Sequence, residues 1–214
     1  MLAGAWLAGI MGKATGFAGR ADVPQKGCPA GNQFDMASVT LASATRAEKD
    51  LFATRFQDYL HELSKMNGAR SNRNGLYEYS LLPLYWQDQS FMPFFVEMDG
   101  RRAGLLLVRE LPAHESHDGR PSLQVAEIYV FAADRRRGVG KAVMRLVAGM
   151  ASERGLPLTW SAYMSNRPAN ALYLSILDEY GHKAPAWLTQ RTRGVDRSGL
   201  ARFYYTMAPP GAER

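Results

Sequence analysis

The chain has 214 residues, 46% hydrophobic and 21% charged with 20 Gly and 11 Pro, which excludes collagen-like, disordered and disulfide-scaffold compositions. The lone Cys28 can form no internal bridge and no Cys/His spacing suits a structural zinc, so a core burying about 70% of the unfolded surface must hold the fold, in a reducing cytoplasm. The 26 Lys and Arg outnumber the 20 Asp and Glu, which favours anionic partners, and no apolar run reaches the roughly eighteen residues that a membrane span needs.

Residues 1–35 are rich in Gly and Ala, contain Pro24 and Pro29 and follow neither a helical nor a strand period. They read as a flexible N-terminal extension before a single domain at 36–214, with Met36 as an alternative start of translation. The first twelve residues resemble a secretory core but lack a charged lead and are interrupted by Gly, so export is not expected. From Ser38 to Ala44 the residues alternate as a short strand, and Thr45 with Glu48 forms a capping box that opens a helix. That helix carries Phe52, Phe56, Tyr59, Leu60 and Leu63 as one stripe.

A polar loop from Asn67 to Gly75 leads to an aromatic stretch, Tyr77 to Phe91, with a short helix around Pro83. The Asp99-Gly100 pair between two apolar runs, Phe94 to Met98 and Arg102 to Val108, predicts a type I′ hairpin. A strand follows at Leu123 to Phe131, with Val125, Glu127, Tyr129 and Phe131 expected on one face and Ala126, Ile128 and Val130 on the other. Glu127 is its one carboxylate. After D-R-R-R-G-V-G-K a helix runs to Gly155, its stripe being Val139, Ala142, Val143, Leu146, Val147 and Met150. A strand at Leu158 to Tyr163, a helix from Pro168 to Gly181 and strands near Ala186 to Arg191 and Leu200 to Met207 complete an α/β pattern with a mixed sheet.

Arg135, Arg136 and Arg137 precede a helix N-terminus that already carries roughly half a positive charge, so an anion is expected there. Gly138 and Gly140 leave backbone N–H groups unobstructed, as a pyrophosphate cradle requires; the alternative is a solvated basic turn. A nucleotide P-loop would need Gly at Arg135 and Ser or Thr at Ala142, and a dinucleotide fingerprint would need Gly at Val143, so both fail.

The R-R-R-G-V-G run from Arg135 to Gly140 resembles the cofactor motif of the GNAT superfamily of acyl-CoA N-acyltransferases, and N-R-P-A-N-A-L-Y adds Asn166, Ala169 and Tyr173 at that family's second spacing. The likeness spans Val39 to Met207 and departs where Gly-Phe is usual after the tyrosine, since here the helix continues to Gly181-His182. It implies a GNAT-like fold: a mixed, mostly antiparallel twisted sheet flanked by helices. It also implies acetyl-CoA as co-substrate, with no metal. The pyrophosphate would lie on Arg135, Arg136, Arg137, Gly138, Val139, Gly140 and Lys141, and the pantetheine arm along Ile128, Tyr129 and Val130 and against Asn166.

A lysine-like amine at pH 7 is protonated by about 3.4 pKa units, roughly 4.6 kcal/mol, so a base helps; Glu127 is the candidate, the alternative being an ordinary paired carboxylate. Tyr173, by the resemblance, would protonate the departing thiolate; otherwise it is a core tyrosine. The oxyanion would be met by a backbone N–H of Ile128 to Val130. The aromatics from Tyr77 to Phe95, with Glu78, Asp88 and Glu97, either wall an acceptor pocket or are consumed by the core. His114 and His117 lack a third ligand and are expected to face solvent. The expected activity is an N-acetyltransferase acting by direct transfer on a small-molecule or peptide amine, as a monomer or homodimer, with no nucleic acid or membrane partner. The alternative is a non-catalytic acyl-CoA-binding regulatory module.

Overall fold

In the computed structural model, which describes residues 38–116, 119–181, 189–196 and 198–208, Asp99 and Gly100 take φ of 54° and 75°. These are the left-handed values of a type I′ turn, and they join β2 (Phe91–Met98) to β3 (Arg101–Leu111). The expectations for residues 1–35, Cys28, Met36, His117, His182 and the start of the sixth strand lie outside the described residues.

The remaining elements follow the predicted order: β1 (Val39–Ser43), α1 (Lys49–Asn67), β4 (Ser122–Val130), α2 (Val139–Glu153), β5 (Leu158–Tyr163), α3 (Arg167–Gly181), β6 (Thr189–Val195) and β7 (Ala201–Met207). Before α1, the Thr45 amide donates to the Glu48 carboxylate at 3.0 Å as the capping box requires. The helix expected around Pro83 is one 3-10 turn, Leu82–Trp86. The seven strands lie in the order β1-β2-β3-β4-β5-β7-β6, and every neighbouring pair is antiparallel except β4 and β5.

Alternation along β3 divides the interior in two. Leu106 and Val108 face a core built with α2 and α3, whereas Leu105 and Leu107 face a second cluster with Phe52, Phe56 and Leu60 of α1. The aromatics Tyr85 and Phe95 belong to that second cluster, with Tyr77, Tyr79, Trp86 and Phe91 packed against it, so most of the Tyr77–Phe95 rings are core. The α2 stripe is turned from the one read in the sequence. Met144, Ala148 and Ala151 are buried, while Leu146 is 39% exposed, because α2 must cover the sheet and also lean on α3.

A bulge in β4 corrects the predicted alternation. Leu107 pairs with Glu127 and Val108 with Val125, so Ala126 is an extra residue. Val125 therefore faces the α2 core, while Glu127 and Tyr129 turn to the α1 side.

Candidate active site

β4 and β5 run parallel but pair only from Leu123 to Val125 against Leu158 to Trp160, after which they splay apart. Crevices at the carboxyl ends of parallel strands are where α/β sheets take ligands. The gap here opens a cavity of about 1120 Å³ with Glu127, Ile128, Tyr129 and Val130 along its β4 wall and Ser161 and Tyr163 along its β5 wall. The β5-facing backbone beyond Val125 thus has no strand partner, which is what an extended ligand needs for pairing.

At one end of the cavity the chain enters α2 through a bend in which Arg136 has φ of 63° and Gly138 φ of 81°. The left-handed value at Arg136 costs about 1 kcal/mol in a residue with a Cβ, strain of the kind held at functional bends. Alternating left-handed residues turn successive amides to one side, and among the described residues the N–H groups of Arg136 through Lys141 find no acceptor; the first helical bond is donated by Ala142 to Gly138 O, at 3.0 Å. A Cβ on Gly138 would meet nothing within 4 Å, whereas one on Gly140 would sit 3.0 Å from Leu172 Cδ2. Gly138 therefore serves the bend and Gly140 the approach of α3.

The basic residues around the bend are largely engaged by acids of the chain itself. Arg135 grips both Glu62 oxygens at 2.8 and 2.9 Å and donates from Nε to Val130 O, with its guanidinium 5.3 Å from the Tyr129 ring. Tyr129 donates its hydroxyl to the same Glu62; burial and that carboxylate push it up to about 12. Arg137 pairs with the buried Asp134 at 3.3 Å, and Arg101 holds Asp134 below the usual carboxylate range. Lys141 and Arg145 share Glu179. Among the described residues, Arg136 is the exposed arginine of the bend without an acid partner.

Glu127 lies deep in the cavity. Burial raises its carboxyl above the usual range, against the hydroxyl of Tyr59, which donates to it, the charge of Arg202, the nearby hydroxyl of Tyr79 and the charge of Arg109. Tyr173 of α3 lines the same cavity, its ring packed 5.8 Å from Trp160 and 5.4 Å from Tyr205. Its hydroxyl finds no acceptor among the described residues, and burial, then the nearby Glu127, pushes it well above the ordinary tyrosine range. Asn166 lines the cavity and caps α3, accepting from the Ala169 amide at 3.2 Å. Buried Asn170 holds this turn by donating to Tyr163 O and Asn166 O and accepting from Tyr205.

Tyr59, Asn170 and Arg202 escaped the sequence reading as site residues, and Tyr79 entered it only among the Tyr77–Phe95 aromatics. Tyr59 stood in an apolar helical stripe and Tyr79 in an aromatic run, and nothing local marks Arg202 of β7 as a neighbour of β4. His114 is exposed next to Glu115, and no group of three potential metal ligands occurs among the described residues. No described helix is long and apolar enough to cross a membrane.

The family model described as Acetyltransferase (GNAT) family matches residues 56–177, more than half of the chain. The fold is similar to Arabidopsis thaliana NAA60 in complex with a bisubstrate analogue, at 13% identity and TM-score 0.55, covering 80% of this chain and 98% of that one. It is also similar to yncA from Salmonella typhimurium with its cofactor acetyl-CoA, at 16% identity and TM-score 0.54, covering 82% and 99%. A third likeness is to the ribosomal-protein-S18-alanine N-acetyltransferase from Escherichia coli, at 16% identity and TM-score 0.50, covering 83% and 97%. At such identities the likeness is one of fold. No curated protein sequence matches the chain.

Proposed function

Because the chain belongs to the acetyltransferase (GNAT) family, we propose that it is an acetyl-CoA-dependent N-acetyltransferase that transfers directly to a primary amine within a ternary complex. The observation that carries this reading is one cavity with two chemistries. Free amides from Arg136 to Lys141 lie at one end, and a half-buried carboxylate, Glu127, lies along its wall. We assign residues 36–214 to the catalytic domain, 1–35 to an extension, and the protein to the cytoplasm.

The amides of the bend, with Arg136 beside them, fit a pyrophosphate, because a nest of N–H groups at a helix start binds oxyanions without charge reorganisation. The β4 edge at Ile128 to Val130, which has no strand partner on its β5 side and whose Val130 O accepts from Arg135, and the Asn166 side chain fit an amide-bearing arm. Bound acetyl-CoA supplies an activated acetyl thioester. Glu127 accepts the proton of the acceptor ammonium, directly or through a water, and its raised affinity for protons brings it closer to the working pH of a base. A β4 amide stabilises the charge that grows on the acetyl oxygen. Tyr173 donates a hydrogen bond, and then its proton, toward the departing sulfur.

Titration calorimetry with acetyl-CoA, followed by thiol release against a panel of amines, tests the reading. Binding and amine-dependent release are expected; a protein indifferent to acetyl-CoA overturns it.

A further inference from the structure

The acceptor end of the cavity carries its own chemical signature. Beyond Glu127 the lining includes Tyr59, Leu63 and Met66 of α1 and Tyr163 of β5, apolar and aromatic groups, with Glu62 of α1 tied to Arg135 and with Arg167 of α3 and Arg202 of β7 as the further ionic groups. Arg202 is a built feature. Its guanidinium lies 3.9 Å from the centroid of the Tyr163 ring, its Nε donates to Asp196 at 3.0 Å and its Nη1 to Ser161 Oγ at 3.1 Å. Asp196 lies outside the cavity wall and is saturated by its own turn, accepting from Ser198 N and Oγ and from Leu200 N. It therefore clamps one edge of the guanidinium, whose fork of five N–H donors still offers groups to a ligand.

The charge tally of the walls argues against a polycationic acceptor. Three acids line the cavity, and two of them are committed: Glu62 to Arg135, and Asp134 to Arg101 and Arg137. The bases Arg135, Arg136, Lys141, Arg167 and Arg202 line it as well. Arg135, Lys141 and Arg202 are themselves paired with Glu62, Glu179 and Asp196, so a molecule with several ammonium groups would find one open carboxylate beside Arg136, Arg167 and the remaining donors of Arg202. A molecule with one ammonium and one carboxylate would find a partner for each.

Resting on the acetyltransferase reading above, we propose that the acceptor is a small amino carboxylate with an apolar body. Its ammonium group is received at Glu127, its carboxylate by Arg202, and its body by the Leu63, Met66 and Tyr163 wall. In the transfer, the ammonium first passes one proton to Glu127, the freed amine nitrogen then forms its bond to the acetyl carbon, the carbon–sulfur bond breaks and the thiolate takes the proton of Tyr173. The second proton that the nitrogen sheds as the amide forms returns to the Tyr173 oxygen, and Glu127 gives its proton to solvent. The carboxylate of the acceptor takes no part in the bonds made or broken.

Thiol release with leucine and methionine, against 3-methylbutylamine, which is leucine without its carboxylate, and against spermidine, tests this. Leucine or methionine is expected to exceed 3-methylbutylamine and spermidine in kcat/KM by tenfold or more. Arg202→Gln is expected to bring the leucine to 3-methylbutylamine ratio to about one, chiefly through KM, while Arg202→Lys retains part of it. A wild-type ratio near one, a preference for spermidine, or a ratio unmoved in a folded Arg202→Gln protein overturns the proposal. Acetyl-CoA binding with transfer confined to carboxylate-free amines, or to none of the panel, overturns it while leaving the cofactor half of the reading intact. Absence of acetyl-CoA binding removes the acetyltransferase reading itself.

Discussion

Tyr59 of α1 donates its hydroxyl to the carboxylate of Glu127 on β4, across 68 residues of sequence. The bond joins the helix that walls the acceptor end to the group that stands to take the proton. It also opposes burial, which on its own drives the Glu127 proton affinity higher.

Tyr59→Phe removes a donor that favours the charged carboxylate, so the Glu127 pKa rises further. A base works only when deprotonated, so activity is then lost at a higher pH as the solution is acidified. A hydrogen bond to a charged group contributes about 1.5–3 kcal/mol, and with Tyr79 still in place the expected displacement of the acid limb of kcat/KM is about one pH unit upward. Glu127→Gln is the reference: acetyl-CoA binding is retained, turnover falls by about 10²–10⁴, and the limb disappears. An acid limb that stays put in Tyr59→Phe contradicts the assignment of Glu127 as base.

The bend before α2 sets stability against binding. Arg136→Asn places a residue that tolerates the left-handed region at φ of 63°, and is expected to raise unfolding stability by some tenths of a kcal/mol while weakening acetyl-CoA. Gly138→Val, at φ of 81°, strains the bend and puts bulk in the cradle, and calorimetry is expected to show acetyl-CoA binding lost.

Tyr173→Phe takes away a hydroxyl without a hydrogen-bond acceptor among the described residues, so the melting temperature should move little. Acetyl-CoA affinity should persist while turnover drops. Burial and Glu127 hold the Tyr173 proton beyond the ordinary tyrosine range, so a basic limb of the wild-type profile near pH 8–9 does not arise from it. Normal turnover in Tyr173→Phe removes its acid role.

Glu179 ties α3 to Lys141 and Arg145 of α2, and Arg145 first, then Lys141, lowers its carboxyl to about 2. A group with a depressed folded pKa stabilises above its unfolded value and loses that contribution as pH falls. The melting temperature should therefore decline between about pH 4.5 and pH 2 in a way that Glu179→Gln blunts. The pairs are partly solvated, so the variant is expected to cost only about 0.5–1 kcal/mol at neutral pH.

Much of the fold was legible because its signals are local. The Asp99-Gly100 turn, the Thr45 and Glu48 box, the period of α2 and the glycines at 138 and 140 act within a few residues of themselves. Chain order alone therefore placed the hairpin, the helices and the bend with its free amides. The α2 stripe was read a few positions off because a helix that touches both a sheet and another helix buries more than one row.

What only the tertiary structure decided is which distant groups meet. The extra residue at Ala126 turns Glu127 toward α1, yet a bulge leaves no mark on a period of two until the partner strand is in register. The arginines looked equivalent in sequence; folding gives Arg135 to Glu62 and Arg137 to Asp134, leaving Arg136 beside the amides. Likewise Tyr59 and Arg202 reach the site from α1 and from β7 because the sheet order brings those elements to the gap between β4 and β5. Electrostatics and hydrogen bonds act over ångströms of space, and sequence separation does not report that distance until the chain is packed.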